Sequence, residues 1–174
     1  MKRVHIIGGK NHGKTLLIEE LLRHYRANGL RVATIKHTHH HHELDAPGKD
    51  SHRHREAGAC LVGVLSRKMS AVFVPVEEEK GEQATDNSLP GEDRYQSFEP
   101  LFADCDLVLV EGDTLATAAK VEVWRAAIGT PPRSGKDSNV QAVITDDTCD
   151  HGPTVWPRSD IATVAKNILA LVHD

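Results

Sequence analysis

The stretch "GGKNHGKT", Gly8 to Thr15, narrows the possible folds more than any other part of this chain. It fits G-x-x-x-x-G-K-[ST], the Walker A phosphate loop, and its context fits as well. The β-branched run Arg3 to Ile7 precedes it and reads as a buried strand. A helical period follows from Gly13 to Asn28, with Ile18, Leu22 and Tyr25 on one face and Leu17 and Leu21 beside it. Asn28-Gly29 stops that helix. A strand, a glycine-bearing loop and a helix in this order form the opening unit of a doubly wound α/β domain.

The chemistry explains the spacing. The N–H groups of Gly8, Gly9, Lys10, Asn11, His12 and Gly13, with the helix N-terminus, present partial positive charge to phosphate oxygens. Lys14 would bridge the β- and γ-phosphates, and the Thr15 hydroxyl would hold Mg²⁺. A magnesium site also needs a carboxylate beyond a central strand. "DLVLVEGD", Asp106 to Asp113, is the most strand-like segment here and supplies Glu111 and Asp113. Glu111 follows the apolar run directly and is the preferred metal group.

The remaining chain alternates strands and helices. "LRVATIK" (30–36), "CLVGVLS" (60–66), "AVFVPV" (71–76), "KVEVWRA" (120–126) and "VQAVIT" (140–145) read as strands. "CLVGVLS" and "AVFVPV" are joined tightly and form an added hairpin. Asp50 or Ser51 caps a short helix through Ala59, "YQSFEPLFADC" (95–105) reads as a helix shortened or kinked by Pro100, and residues 160–172 form a closing amphipathic helix. Residues 77–94 are acidic and poor in apolar side chains, an exposed connection. The expectation is a single phosphate-loop NTPase-like domain over 1–174, with a mostly parallel sheet and an added hairpin.

A net charge of −4 gives no global footprint for nucleic acid. The first residues carry too short an apolar run for a signal or a membrane span. Cys60, Cys105 and Cys149 have no C-x-x-C spacing, so buried thiols in a reducing, cytoplasmic setting are expected.

"HTHHHHELDAPGKDS" runs from His37 to Ser51, and five of its first six residues are histidine. Three imidazoles on one side of an extended chain can bind Ni²⁺ or Zn²⁺. The preferred reading is a polar loop of imidazoles near an anionic ligand. Lys36, Lys49, Arg53 and Arg55 make the neighbourhood locally basic in an acidic chain. Protonating the histidines would then tighten anion binding near pH 6 relative to pH 8.

Taken together, the phosphate loop, "TIKHTHH", "DAPGKDSHRHREAGA" and "LVLVEG" resemble the MobB family of molybdopterin-guanine dinucleotide biosynthesis adaptor proteins. The run Pro47 to Ala59 is the most specific part of the match, which extends from Lys2 to about Ala127 and more loosely to the last strand and helix. The resemblance implies a homodimeric, weakly hydrolysing GTP-binding protein. It would assist a MobA-type molybdenum cofactor guanylyltransferase in joining GMP to molybdopterin, with no nucleic acid or membrane partner. It places His37, Asp50, Ser51, Arg53 and Arg55 near phosphates, and Glu111 near Mg²⁺. The chain departs from the family where "DTLATAAK" follows "VEG" and where His41-His42 replace a polar-aromatic pair.

GTP over ATP rests on the resemblance, because no N-K-x-D element is present. Asp146 or Asp147, after a strand, is positioned in sequence to accept from guanine N1 and N2. Two rivals compete: a nickel metallochaperone-type GTPase using the His-rich loop, and a small-molecule kinase on the same phosphate loop. A metallochaperone normally shows a cysteine-containing metal motif, and a kinase an arginine-rich lid; neither is found.

Overall fold

In a computed structural model of the chain, residues 1–38, 44–75, 95–150 and 153–172 are described. The acidic connection expected at 77–94 lies outside the described residues. The contacts fall into two compact units, Met1–Thr38 with Asp93–Asp174, and His39–Glu92.

The larger unit is a six-stranded sheet. Its strands are β1 (Arg3–Ile7), β2 (Val32–Lys36), β5 (Leu107–Glu111), β6 (Lys120–Val123), β7 (Val140–Ile144) and β8 (Thr154–Trp156). The order across the sheet is β2-β5-β1-β6-β7-β8, and every neighbouring pair is parallel. The expected α/β architecture with a mostly parallel sheet is present.

Alternation along β5 shows how the core is built. Leu107 and Leu109 join Val4, Ile6, Val121 and Ile144 in one fully buried cluster, against α1 (Lys14–Ala27) and α3 (Ile161–Ala170). Val108 and Val110 point to the other face and pack with Tyr95, Phe98 and Phe102. The Tyr25 hydroxyl on α1 donates to the Ala165 carbonyl on α3 at 2.9 Å, tying the two helices together. Asp160 caps α3 by accepting from the Thr163 N–H at 3.0 Å.

Two sequence expectations change here. The stretch 95–105 is not an α-helix but a 3₁₀ turn, Gln96–Phe98, followed by further turns. Pro100 has no N–H to continue a helix and crowds the preceding turn. Phe98 and Phe102 still stack, with centroids 5.8 Å apart, and cover the sheet. Strand β8 was not expected: it is three residues long and lies between Pro153 and Pro157.

The smaller unit holds the antiparallel hairpin of β3 (Val62–Leu65) and β4 (Ser70–Phe73), with α2 (Asp50–Glu56). Lys49 is the N-cap of α2 and makes no side-chain cap, so neither Asp50 nor Ser51 has the capping role expected of it. Cys60 is exposed and Cys105 and Cys149 are half-buried, which departs from the expected buried thiols. Among the described residues, no helix is long and apolar enough to cross a membrane.

Candidate functional site

Parallel sheets present the carboxyl ends of their strands at one edge, and ligands bind there where the strand order reverses. In this sheet the residues that follow β1 and those that end β2, β5, β6 and β7 share that edge. The loop Gly8–Gly13 leaves β1 there and enters α1, whose N-cap is Gly13 at φ +95°. At Gly8 a Cβ would lie 2.4 Å from the Val123 carbonyl oxygen, so the turn passes directly over the end of β6.

Lys14 folds back along the loop and donates to the Gly8 and Gly9 carbonyls at 2.9 and 2.8 Å. Burial lowers its pKa most. Glu111 opposes the shift, while Arg133 and Lys36 lower the value further. Lys14 therefore has both a carboxylate, Glu111, and two cations, Arg133 and Lys36, in its electrostatic surroundings.

Thr15 and Glu111, which are 96 residues apart in sequence, meet in the fold. The Thr15 hydroxyl donates to Glu111 Oε1 at 2.9 Å. Neighbouring oxygens in an octahedron of about 2.1 Å bonds are about 3.0 Å apart, so this pair of hard oxygen donors fits Mg²⁺. Asp113 does not compete for that role. It is fully buried, accepts from the Tyr95 hydroxyl at 2.6 Å, and accepts from the Leu115 and Ala116 N–H groups at 3.1 and 3.2 Å. It shapes the turn after β5.

His12, expected among the phosphate ligands, has both ring nitrogens engaged by protein. Nδ1 accepts from the Arg125 N–H at 3.0 Å, which requires the proton on Nε2, and Nε2 donates to Thr130 Oγ1 at 3.0 Å. The ring is only 2% exposed and packs against Gly9. Its pKa is lowered, chiefly by burial. Glu122 acts against this, and Lys14, Arg125 and Arg133 add to it. The neutral ring fastens the phosphate loop to the segment after β6.

A cavity of about 390 Å³ borders this ring, lined by His12, Leu16, Trp124, Arg125, Asp147 and Arg158 among others. Asp146 also lines it, but Oδ1 already accepts from the Ser159 N–H and hydroxyl at 2.8 and 2.9 Å. Those bonds, the backbone one first, lower its pKa. Asp147 Oδ2 accepts from the Ala126 N–H at 2.8 Å. Each carboxylate thus has one oxygen holding backbone.

The His37 N–H donates to the Glu111 carbonyl at 2.9 Å, so His37, directly after β2, lies beside the end of β5. The histidines from His39 to His42 lie outside the described residues. In the smaller unit, Asp50 and Arg53 lie 4.0 Å apart and are exposed, Arg55 lies 3.9 Å from Glu56, and Ser51 Oγ donates to Asp45 Oδ1 at 2.8 Å.

Sequence reasoning missed Glu122, Arg125, Thr130 and Arg133. The available signal was Glu122 itself, a carboxylate inside an apolar strand, which has to find donors.

Comparison with known proteins places these features in context. The family model described as "MobB: Molybdopterin guanine dinucleotide synthesis protein B" matches residues 3–146. A "Molybdopterin-guanine dinucleotide biosynthesis adapter protein" of Escherichia coli K12 is 35% identical over 137 residues, covering 77% of this chain and 72% of the relative. One of Haemophilus influenzae is 31% identical over 172 residues, covering 97% and 88%. The crystal structure of a molybdopterin-guanine biosynthesis protein B superposes with a TM-score of 0.70 at 27% identity, covering 99% of both chains. Bacillus subtilis MobB superposes at 0.66 with 20% identity, covering 99% of this chain and 98% of the other, which is a likeness of fold.

Proposed function

The chain belongs to the MobB family, molybdopterin guanine dinucleotide synthesis protein B, and from that premise we propose that it is an adapter in molybdopterin guanine dinucleotide biosynthesis that binds GTP with Mg²⁺. The observation that carries the nucleotide reading is the meeting of Thr15 and Glu111 at 2.9 Å, at the base of a loop whose lysine is already in place. Loop N–H groups and Lys14 would hold the phosphates, and Thr15 and Glu111 would hold the metal. The ion, when bound, neutralises charge that builds on the phosphates. The cavity beside His12, at about 390 Å³, is of a size that suits a nucleobase, since ligand clefts run from about 300 Å³ upward. Within it, Asp146 is the residue we assign to the guanine edge, through the oxygen that does not hold Ser159.

Hydrolysis is proposed to be slow, with the protein serving a MobA-type guanylyltransferase and its molybdopterin substrate rather than turning over nucleotide itself. Asp50, Ser51, Arg53 and Arg55 are assigned to the phosphorylated ligand of that reaction. A homodimer is proposed through the hairpin, where Leu65, Val72 and Met69 are 87%, 56% and 72% exposed. A two-stranded hairpin is marginal alone and gains from pairing. Family membership favours this adapter role over a nickel-insertion GTPase or a kinase.

Calorimetry with GTP and ATP in Mg²⁺ tests the reading. GTP should bind, and Lys14→Ala should weaken it at least tenfold, since a charge-assisted bond contributes about 1.5–3 kcal/mol. Equal binding by wild type and Lys14→Ala would remove the phosphate loop from the function.

A further inference from the structure

The connection between β6 and β7 is fastened at two places, once to the phosphate loop and once to β6. Near its start, His12 takes the Arg125 N–H and meets the Thr130 hydroxyl, both at 3.0 Å. Near its end, Glu122 does the fastening. This carboxylate is 2% exposed and lies in register with Ile7, the last residue before the loop. It accepts from the Arg133 N–H at both oxygens, at 2.9 and 2.8 Å, and from the Ser134 N–H at 2.8 Å.

A buried carboxylate is costly unless donors saturate it. Here the donors are the backbone of residues 133 and 134, so the position of that backbone is fixed relative to β1 and the phosphate loop. Arg133 itself is exposed, and among the described residues its guanidinium bonds no carboxylate. Glu122 is paired with Ile7, and His12 within the loop holds residues 125 and 130, so the backbone at Arg133 is held close to the root of the phosphate loop. An anion bound by the loop would attract a cation placed there. The guanidinium fork also matches phosphate oxygens in a bidentate way that an ammonium cannot.

We propose that Arg133 is a phosphate ligand of the bound nucleotide, supplied in cis by the β6–β7 connection, and that Glu122 is the residue that positions it. The proposal rests on the nucleotide reading above and adds a second cation to the one the loop motif provides. Its ligand class is a nucleoside di- or triphosphate, with contact to the phosphates rather than the base.

The test is calorimetry of wild type, Arg133→Ala and Arg133→Lys with Mg-GTP, GMP and Mg-pyrophosphate, alongside urea unfolding of each variant. Arg133→Ala should bind GTP and pyrophosphate about 10- to 100-fold more weakly, the range of a lost charge-assisted bond. GMP affinity should change far less. Arg133→Lys should recover part of the loss, and the exposed position should leave the urea midpoint unchanged. Equal GTP affinity in wild type and Arg133→Ala would overturn the proposal and leave the nucleotide reading standing. A loss of affinity matched by a loss of stability would assign Arg133 to the fold and also overturn it. Wild type that binds neither GTP nor pyrophosphate would instead overturn the nucleotide reading, and this proposal with it.

Discussion

Replacing His12 separates a latch from a ligand. His12→Ala removes the acceptor for the Arg125 N–H, which costs about 1–2 kcal/mol where water reaches the orphaned group only in part. It removes the bond to Thr130, about 1 kcal/mol more, and the packing of a ring that is 2% exposed, at about another 1 kcal/mol. The sum is about 3–4 kcal/mol, or about 6–16 °C in Tm for a domain of this size. His12→Asn should cost about half as much, because its Oδ1 reaches the place of Nδ1 and keeps the Arg125 bond while losing Thr130. The pH dependence has a fixed sign. The folded pKa lies below the ordinary value of 6.5, so between the two the unfolded chain binds the extra proton. Stability from this ring is complete above pH 6.5 and is lost as pH falls below it toward the folded value. The stability gap between wild type and His12→Asn should therefore narrow from pH 7.5 to pH 5, as read by urea unfolding without nucleotide. An unchanged midpoint in His12→Ala, with GTP affinity alone reduced, would refute the latch and return His12 to the phosphates.

Four further outcomes are expected. Thr15→Val and Glu111→Gln should each abolish the gain in GTP affinity that Mg²⁺ gives over EDTA, and a gain equal to wild type would sink the metal assignment. Gly8→Ala should destabilise by about 2–4 kcal/mol, because its Cβ would meet the Val123 carbonyl at 2.4 Å with φ at +144°; a urea midpoint equal to wild type would contradict the close approach. Leu65→Asp, at a position 87% exposed, should shift sedimentation toward monomer without loss of helix content, and a wild type that is monomeric at every concentration would end the dimer proposal. GTP should bind more tightly at pH 6 than at pH 8 if the imidazoles from His37 to His42 act by charge, and a flat profile between those values would exclude that role.

The parts of the fold legible in sequence are those governed by local pattern. Arg3–Ile7, the helix after Gly13, and Leu107–Glu111 all fall within a residue or two of their expected positions, because a buried parallel strand is uniformly apolar and a surface helix is not. The helix expected at 95–105 was overruled by one residue, Pro100, whose effect on the backbone exceeds the pull of Tyr95, Phe98 and Phe102 toward the core. The Gly-Lys-Thr of the loop and the Glu after the apolar strand were readable as a pair, since the motif defines both ends of that contact. Arg133 was not. Its segment, "GTPPRSGKDS", looks like any surface turn, and its place beside β6 arises from the bonds its backbone makes to Glu122, which pairs with Ile7 of β1.

Strand β6 shows what such a connection needs. All four of its residues are buried, yet Lys120 and Glu122 alternate with Val121 and Val123. The valines join the core cluster under α1 and α3, so the charged pair lies on the opposite face of the sheet. There, Lys120 Nζ donates to Asp137 Oδ2 at 2.6 Å and to the Thr114 carbonyl at 2.8 Å, while Glu122 holds Arg133 and Ser134. Both ends of the 133–137 turn are thereby fixed by alternate positions of one strand. Removing either partner would leave a buried charge, a loss of about 3–5 kcal/mol, so the turn keeps its place although it has little regular structure. Charges at i and i+2 of an otherwise apolar strand are therefore a sign that the following loop is anchored beneath the sheet's edge. In this chain the anchored loop is the one that holds Arg133, the residue proposed above as a phosphate ligand.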